Sequence, residues 1–183
     1  MKPIRKMTEA ELAAFVCHHL ETHGIRTVLS GGTCVTLYGR NKYVSGDLDL
    51  VPETYVPPRK IAAALSEIGF QREGRVFRHP DSPLLVDVRS PPLAVGEDPV
   101  KQVNELSLST GVLRLLSPTD CVKDRLAAYY YHHDRQCLEQ ACLVVKYSDV
   151  DLAEVERWSV HEGEKVKFSE IRDRLRTAAK KRR

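Results

Sequence analysis

Three aspartates in apolar surroundings are the residues best placed to do chemistry in this sequence. Asp47 and Asp49 lie in Gly46-Asp47-Leu48-Asp49-Leu50-Val51, and Asp87 lies in Leu84-Leu85-Val86-Asp87-Val88. Residues two apart in a strand point to one side, so Asp47 and Asp49 share a face while Leu48 and Leu50 bury on the other. Crowded carboxylates repel, and burying them unpaired is costly. Water, a basic side chain or a divalent cation must relieve them. Mg²⁺ suits such oxygens, because it prefers hard carboxylate ligands and completes its octahedron with water and substrate phosphates. Taken alone, Asp-x-Asp is also an ordinary solvated strand end, and Asp87 is open to a salt bridge from Arg89 or Arg78. A strand carrying Asp87 beside the Asp47/Asp49 strand would complete a three-carboxylate cluster able to hold two metals about 4 Å apart.

Upstream stands Val28-Leu29-Ser30-Gly31-Gly32-Thr33. Glycines let backbone N–H groups approach an oxyanion closely, and a helix opening at Thr33 aims its positive end there. The Thr33 hydroxyl adds a donor for a phosphate; the plainer reading is a strand-to-helix turn. Thirteen residues separate Thr33 from Asp47, enough for one short helix and a loop that return the chain beside its starting strand.

The elements that must position these groups follow from pattern. Thr8-Glu9-Ala10-Glu11 has the form of a capping box, and Leu12, Phe15, Val16 and Leu20 recur at helical spacing up to Gly24. Ile25 to Leu29 reads as a strand, Thr33 to Tyr38 as a helix ended by Gly39, and Leu48 to Val51 as a strand. Pro57-Pro58 starts a helix carrying Ile61, Ala64, Leu65 and Ile68. Phe70 to Arg78 forms a hairpin around Glu73-Gly74, Leu84 to Val88 a further strand, and Gly96 to Pro99 a loop. Val100 to Leu108 and Val112 to Leu116 pair as two more strands. Ser117-Pro118-Thr119-Asp120 opens a helical region with breaks near Ser148-Asp149 and His161 to Gly163. This predicts an α+β core over residues 1–115, with a mixed sheet flanked by helices, and a C-terminal helical region over 116–183.

The chain has 183 residues, 42% hydrophobic and 29% charged, with a net charge of +3, values of an ordinary globular protein. No run approaches the roughly 18 apolar residues of a membrane span, and the opening residues do not form a signal peptide. Five scattered cysteines without a Cys-x-x-Cys pair read as reduced thiols, and the expected location is cytoplasmic. Residues 165–183 hold nine Lys/Arg against Glu170 and Asp173, so a slightly acidic body carries a basic tail. That tail (Arg172, Arg174, Arg176, Lys180, Lys181, Arg182 and Arg183 among it) is either a solvated helix end or a grip on nucleic acid.

Gly31, Gly32, Thr33, Asp47-Leu48-Asp49 and Asp87 together resemble the DNA polymerase beta-type nucleotidyltransferase superfamily. Leu37, Tyr38-Gly39-Arg40 and Ser45 bring the resemblance nearest to its AbiEii-like branch, known from toxin–antitoxin and phage-defence systems. It covers residues 25 to 90; beyond, Ser117 to Leu126 is similar to the helix after the core, where a lysine reaches the triphosphate, and Lys123 occupies that place with Asp124 and Arg125 beside it. A charged helix face with local ion pairs is the alternative there. Two departures from the family pattern are a spacing at the long end of its range and Thr33 where Ser is commoner.

The resemblance implies a nucleotidyltransferase that moves a nucleoside monophosphate from an NTP to an acceptor hydroxyl. Asp47, Asp49 and Asp87 are the implied catalytic acids and ligands of two Mg²⁺ ions, with Asp87 also a candidate general base. Gly31, Gly32, Thr33 and Lys123 are the implied nucleotide-binding residues. The implied partners are the NTP, an RNA or tRNA acceptor (or a protein or small molecule) and a cognate toxin–antitoxin partner, with no membrane. The alternative is a non-catalytic nucleotide- or RNA-binding member of the same fold. His132-His133 and Tyr129-Tyr130-Tyr131 are read as packing residues, and Trp158 as core.

Overall fold

Thr8 opens the first helix, α1 (Glu9–Thr22), as its capping box requires: its hydroxyl accepts from the Glu11 N–H, and the Thr8 N–H donates back to the Glu11 carboxylate at 2.8 Å. α1 buries Leu12, Phe15, Val16 and Leu20, the helical stripe read from the sequence. The computed structural model describes residues 2–181. Next come β1 (Thr27–Ser30), α2 (Gly31–Tyr38), β2 (Asp47–Pro52), α3 (Pro58–Glu67), β3 (Gln71–Glu73), β4 (Val76–Arg78) and β5 (Leu85–Val88). Then follow β6 (Ala94–Val95), β7 (Asp98–Pro99), β8 (Val103–Leu108) and β9 (Gly111–Leu116). The chain closes with α4 (Pro118–His132), α5 (Arg135–Tyr147), α6 (Leu152–His161) and α7 (Lys165–Lys180).

Seven strands form one sheet in the order β3-β4-β5-β2-β1-β9-β8. β2 sits at its middle, antiparallel to β1 and parallel to β5. Its burial explains its sequence: Leu48 and Leu50 are fully buried, so this strand reads as a nearly continuous apolar run in which aspartates are conspicuous. The architecture is the expected α+β, with a mixed sheet and a helical C-terminal region. No helix among the described residues is long and apolar enough to cross a membrane.

The chain divides into two units. The first takes the residues up to Thr33, Ser45–Leu93 and Val103–Leu115, and holds the large sheet with α1 and α3. The second takes Cys34–Val44, Ala94–Gln102 and the chain from Leu116 onward. This differs from a single cut between residues 115 and 116, because the two inserted segments cluster with the helices. Within the second unit Trp158 is fully buried, donates its indole N–H to the Val95 carbonyl at 3.1 Å, and stacks on Tyr130 at 6.0 Å between ring centres. The stretch read as a loop at Gly96 to Pro99 is thus part of the short hairpin β6–β7, which the indole fastens.

Candidate active site

β2 and β5 are paired so that Asp49 stands directly opposite Asp87, and Asp47 opposite Leu85. The strand phase read from the sequence therefore brings the second and third acids, Asp49 and Asp87, side by side, with Asp47 one pleat further along β2. Asp49 and Asp87 are buried, at 7% and 3% exposure; Asp47, two residues along β2 from Asp49, is half-buried and its carboxylate accepts from the Ser45 hydroxyl at 3.1 Å.

Two arginines answer the negative charge. Arg89 donates to Asp49 Oδ1 through Nε at 3.0 Å and Nη2 at 2.6 Å, and the same Nη2 lies 3.4 Å from Asp87 Oδ2. Arg75 Nη2 lies 3.6 Å from Asp87 Oδ2. The register of β4 on β5 sets Val76 opposite Asp87, which brings in Arg75 and leaves Arg78 to pair with Glu73 at 2.5 Å. The salt bridge considered for Asp87 thus comes from Arg89 and Arg75. One atom is left over: Asp87 Oδ1 is buried and has no hydrogen-bond partner.

Gly31 has φ +68°, and a Cβ there would lie 1.9 Å from Asp49 Oδ2. Only glycine tolerates both the left-handed backbone and this approach, so the start of α2 rests directly against the acid. The helix begins at Gly31, two residues before Thr33, which is therefore in the first turn and is not the cap. Thr33 is fully buried, and its hydroxyl donates to the Asp47 carbonyl at 2.7 Å, tying α2 to β2. Gly31 and Gly32 are buried as well.

These residues fit a divalent cation. The donors are hard carboxylate oxygens, two of the acids are buried opposite each other, and Asp87 Oδ1 has an unmet need for a donor or an ion. The Arg89 guanidinium lies against both buried acids and offsets part of their charge. Beside the acids, Tyr55, Arg72, Arg75, Phe77, Val88 and Arg89 line a cavity of about 130 Å³. Tyr55 is 76% exposed.

Lys123 belongs to the second unit. Its ammonium is buried on α4 and held by Glu154 at 2.7 Å and Asp120 at 3.3 Å. Together with Asp98, Lys101, Asp151 and Arg157 these groups line a polar cleft of about 380 Å³. Its neighbours Asp124 and Arg125 pair with each other at 2.5 Å. Of the basic tail, residues 165–180 form α7, which packs on α5 and α6 through buried Phe168, Ile171 and Leu175. Arg174 pairs with Glu139, and Arg172 lies beside Asp173, while Arg176, Lys180 and Lys181 are exposed. Arg182 and Arg183 lie outside the described residues. One constellation escaped the sequence reading: His19 on α1 and His23, the residue capping its C-terminus, meet Glu67 of α3. Their spacing of four on a helix was the available signal.

No protein-family model matches this chain, and no curated protein matches it. Among solved structures, an antigenic nucleotidyltransferase-like protein from Paracoccidioides brasiliensis is similar over 95% of this chain and 93% of its own, with a TM-score of 0.62 at 16% identity. The chain has the nucleotidyltransferase-like fold. The solution structure of the antibiotic-resistance factor ANT(2'')-Ia matches over 89% of this chain and 92% of its own, at 14% identity and a TM-score of 0.48.

Proposed function

We propose that the protein is an Mg²⁺-dependent nucleotidyltransferase that transfers a nucleoside monophosphate from an NTP to an acceptor hydroxyl: the acceptor oxygen bonds to the α-phosphorus, the α–β phosphoanhydride bond breaks and pyrophosphate leaves. The observation that carries this reading is the buried Asp49–Asp87 pair across β2 and β5, with an unsatisfied Asp87 oxygen and a glycine backbone pressed against Asp49. Asp47 and Asp49 would hold the cation, with Asp87 as a third ligand. Bound there, the ion supplies neutralisation of charge developing on the phosphoryl group and on the attacking oxygen. Asp87 takes the proton of the acceptor hydroxyl. Gly31 and Gly32 begin α2, whose positive N-terminal end would receive the triphosphate. Before substrate arrives, Arg89 and Arg75 keep the acids tolerable to the fold.

The groove with Tyr55, Arg72, Arg75 and Arg89 supports an acceptor that carries phosphates and bases, an RNA end rather than a neutral small molecule. The likeness of Gly31 to Asp49 to the AbiEii-like branch supports a toxin–antitoxin or defence setting. A second reading, a non-catalytic nucleotide- or RNA-binding protein, is favoured by one fact: a single guanidinium already engages both buried acids. The test is incubation with each α-³²P-labelled NTP, Mg²⁺ and total cellular RNA or protein. The expected outcome is one labelled acceptor, lost with Asp47→Ala. Nucleotide binding without labelling would leave the second reading standing.

A further inference from the structure

His19 and His23 are four residues apart at the end of α1, so their rings lie on one helix face, with centroids 4.7 Å apart. Glu67, the last residue of α3, meets them: its carboxylate oxygens lie 3.1 and 3.2 Å from His23 Nε2, and one lies 3.7 Å from His19 Nε2. We infer that His19, His23 and Glu67 form a binding site for one divalent transition-metal ion, zinc fitting best, that clasps α1 to α3.

The geometry is near what such an ion needs. Zinc holds imidazole nitrogen and carboxylate oxygen at about 2.0–2.2 Å, so ligand atoms of a tetrahedron stand roughly 3.3–3.5 Å apart. The separations of 3.1 and 3.7 Å bracket that distance, and all three ligand atoms lie within 4.8 Å of one another. Orientation is already set for His23. Its Nδ1 lies 3.1 Å from the His19 carbonyl and 3.2 Å from the Thr22 hydroxyl. A proton on Nδ1 bound to that carbonyl leaves the Nε2 lone pair facing Glu67, the backbone support that metal-bound histidines ordinarily have. His19 Nε2 lies 2.8 Å from the Ala64 carbonyl and must give up that bond to ligate.

The field also favours a cation. Both helices end here, α1 at Thr22 and α3 at Glu67, and helix C-termini carry partial negative charge. Two imidazoles and one carboxylate select zinc, copper or nickel over Mg²⁺. The site is therefore chemically separate from the carboxylates of β2 and β5. Its rival occupant is a proton, with an imidazolium of His23 paired to Glu67.

The test titrates the untagged full chain with Zn²⁺ against a chromophoric chelator and follows thermal melting with and without the ion. The expected result is one zinc per chain, bound at micromolar or tighter Kd, with a raised Tm that Mg²⁺ does not reproduce. His23→Ala and Glu67→Gln should each weaken uptake at least tenfold while the circular dichroism spectrum is unchanged. No uptake by the parent, or uptake changed less than threefold by both substitutions, overturns the site. The second result would assign zinc to other histidines or cysteines, and the first would leave the pair to a proton.

Discussion

On β2 and β5 two buried carboxylates pair with arginines that are themselves half or mostly exposed, whereas on α4 one buried ammonium stands between two carboxylates. Both regions take charge out of water, but the buried partner differs. Beside Asp49 and Asp87 the buried groups have like charge, their counter-ions reach in from solvent, and one oxygen is unsatisfied. Exposed guanidiniums contribute little to stability and exchange readily. Around Lys123 the buried charge is matched by Glu154 and Asp120, and removing either the ammonium or its partners leaves an uncompensated group. The first region is arranged to change partners, and the second to keep them.

Asp87→Asn is the substitution with the largest expected effect on this contrast. If Asp87 acts as proposed, as metal ligand and proton acceptor, its loss removes several kcal/mol of transition-state stabilisation, and each 1.36 kcal/mol is tenfold in rate. Transfer of labelled nucleotide should fall at least ~10³-fold. Relief of carboxylate repulsion should leave the urea midpoint, measured without divalent ions, no lower than the parent's. A variant that unfolds more easily would make Asp87 an anchor for Arg75 and Arg89, and the two regions would then be alike.

Gly31→Ala comes next. A left-handed backbone at an L-residue costs about 1–2 kcal/mol, and the added Cβ must also push the Asp49 carboxylate away. We expect a loss of at least about 2 kcal/mol in denaturant unfolding, together with loss of transfer. An alanine variant of parental stability would remove the close approach that makes Asp49 part of this site.

Lys123→Met bears on the other region. Loss of a buried partner costs about 3 kcal/mol in comparable pairs, and the lysine is committed to its own network, so stability should drop while the KM for NTP stays within threefold. A tenfold rise in KM with stability intact would put the ammonium on the triphosphate, as the family resemblance implies, and would make the cleft of α4 a second exchangeable site.

The acids were legible because strand phase is binary: an aspartate inside Leu-Val-Asp-Val has one face to occupy. The order of most elements was legible for similar reasons, from Thr8 and Ser117 as caps to Pro58 at a helix start. The identity of the counter-ions was not, since Arg75 rather than Arg78 follows from the β4–β5 register, which alternation alone leaves free. The break between α4 and α5 was also missed. Its left-handed residue is His133, at φ +55°, with Asp134 capping the next helix, so no glycine or proline marks it. The zinc-type cluster required knowing that α3 ends beside α1, a contact across 44 residues of chain.

The smallest expected effect concerns pH. The Glu154 carboxyl is drawn down from its ordinary 4.5 to about 2, chiefly by its hydrogen bond from Arg157, with Lys123 adding to it against the opposing effect of burial. A carboxyl whose folded pKa is depressed stabilises the fold above its unfolded pKa and loses that contribution as pH falls toward the folded value. The window therefore runs from about 4.5 down to about 2. Its size is limited, because Glu154 is one-third exposed and Arg157 half exposed, which puts the contribution below about 1 kcal/mol. Glu11 of α1 is lowered to about 2 as well, by Lys2 and the Thr8 cap, so the parent's acid titration also carries a share from α1, outside both regions. Subtracting the Glu154→Gln variant cancels the Glu11 share. The difference between the two proteins in urea unfolding should be constant from pH 7 to 5 and should shrink between 4.5 and 3. A difference that stays flat to pH 3 would mean that Glu154 contributes no charge-dependent stability, leaving Asp120 as the partner that keeps Lys123 in place.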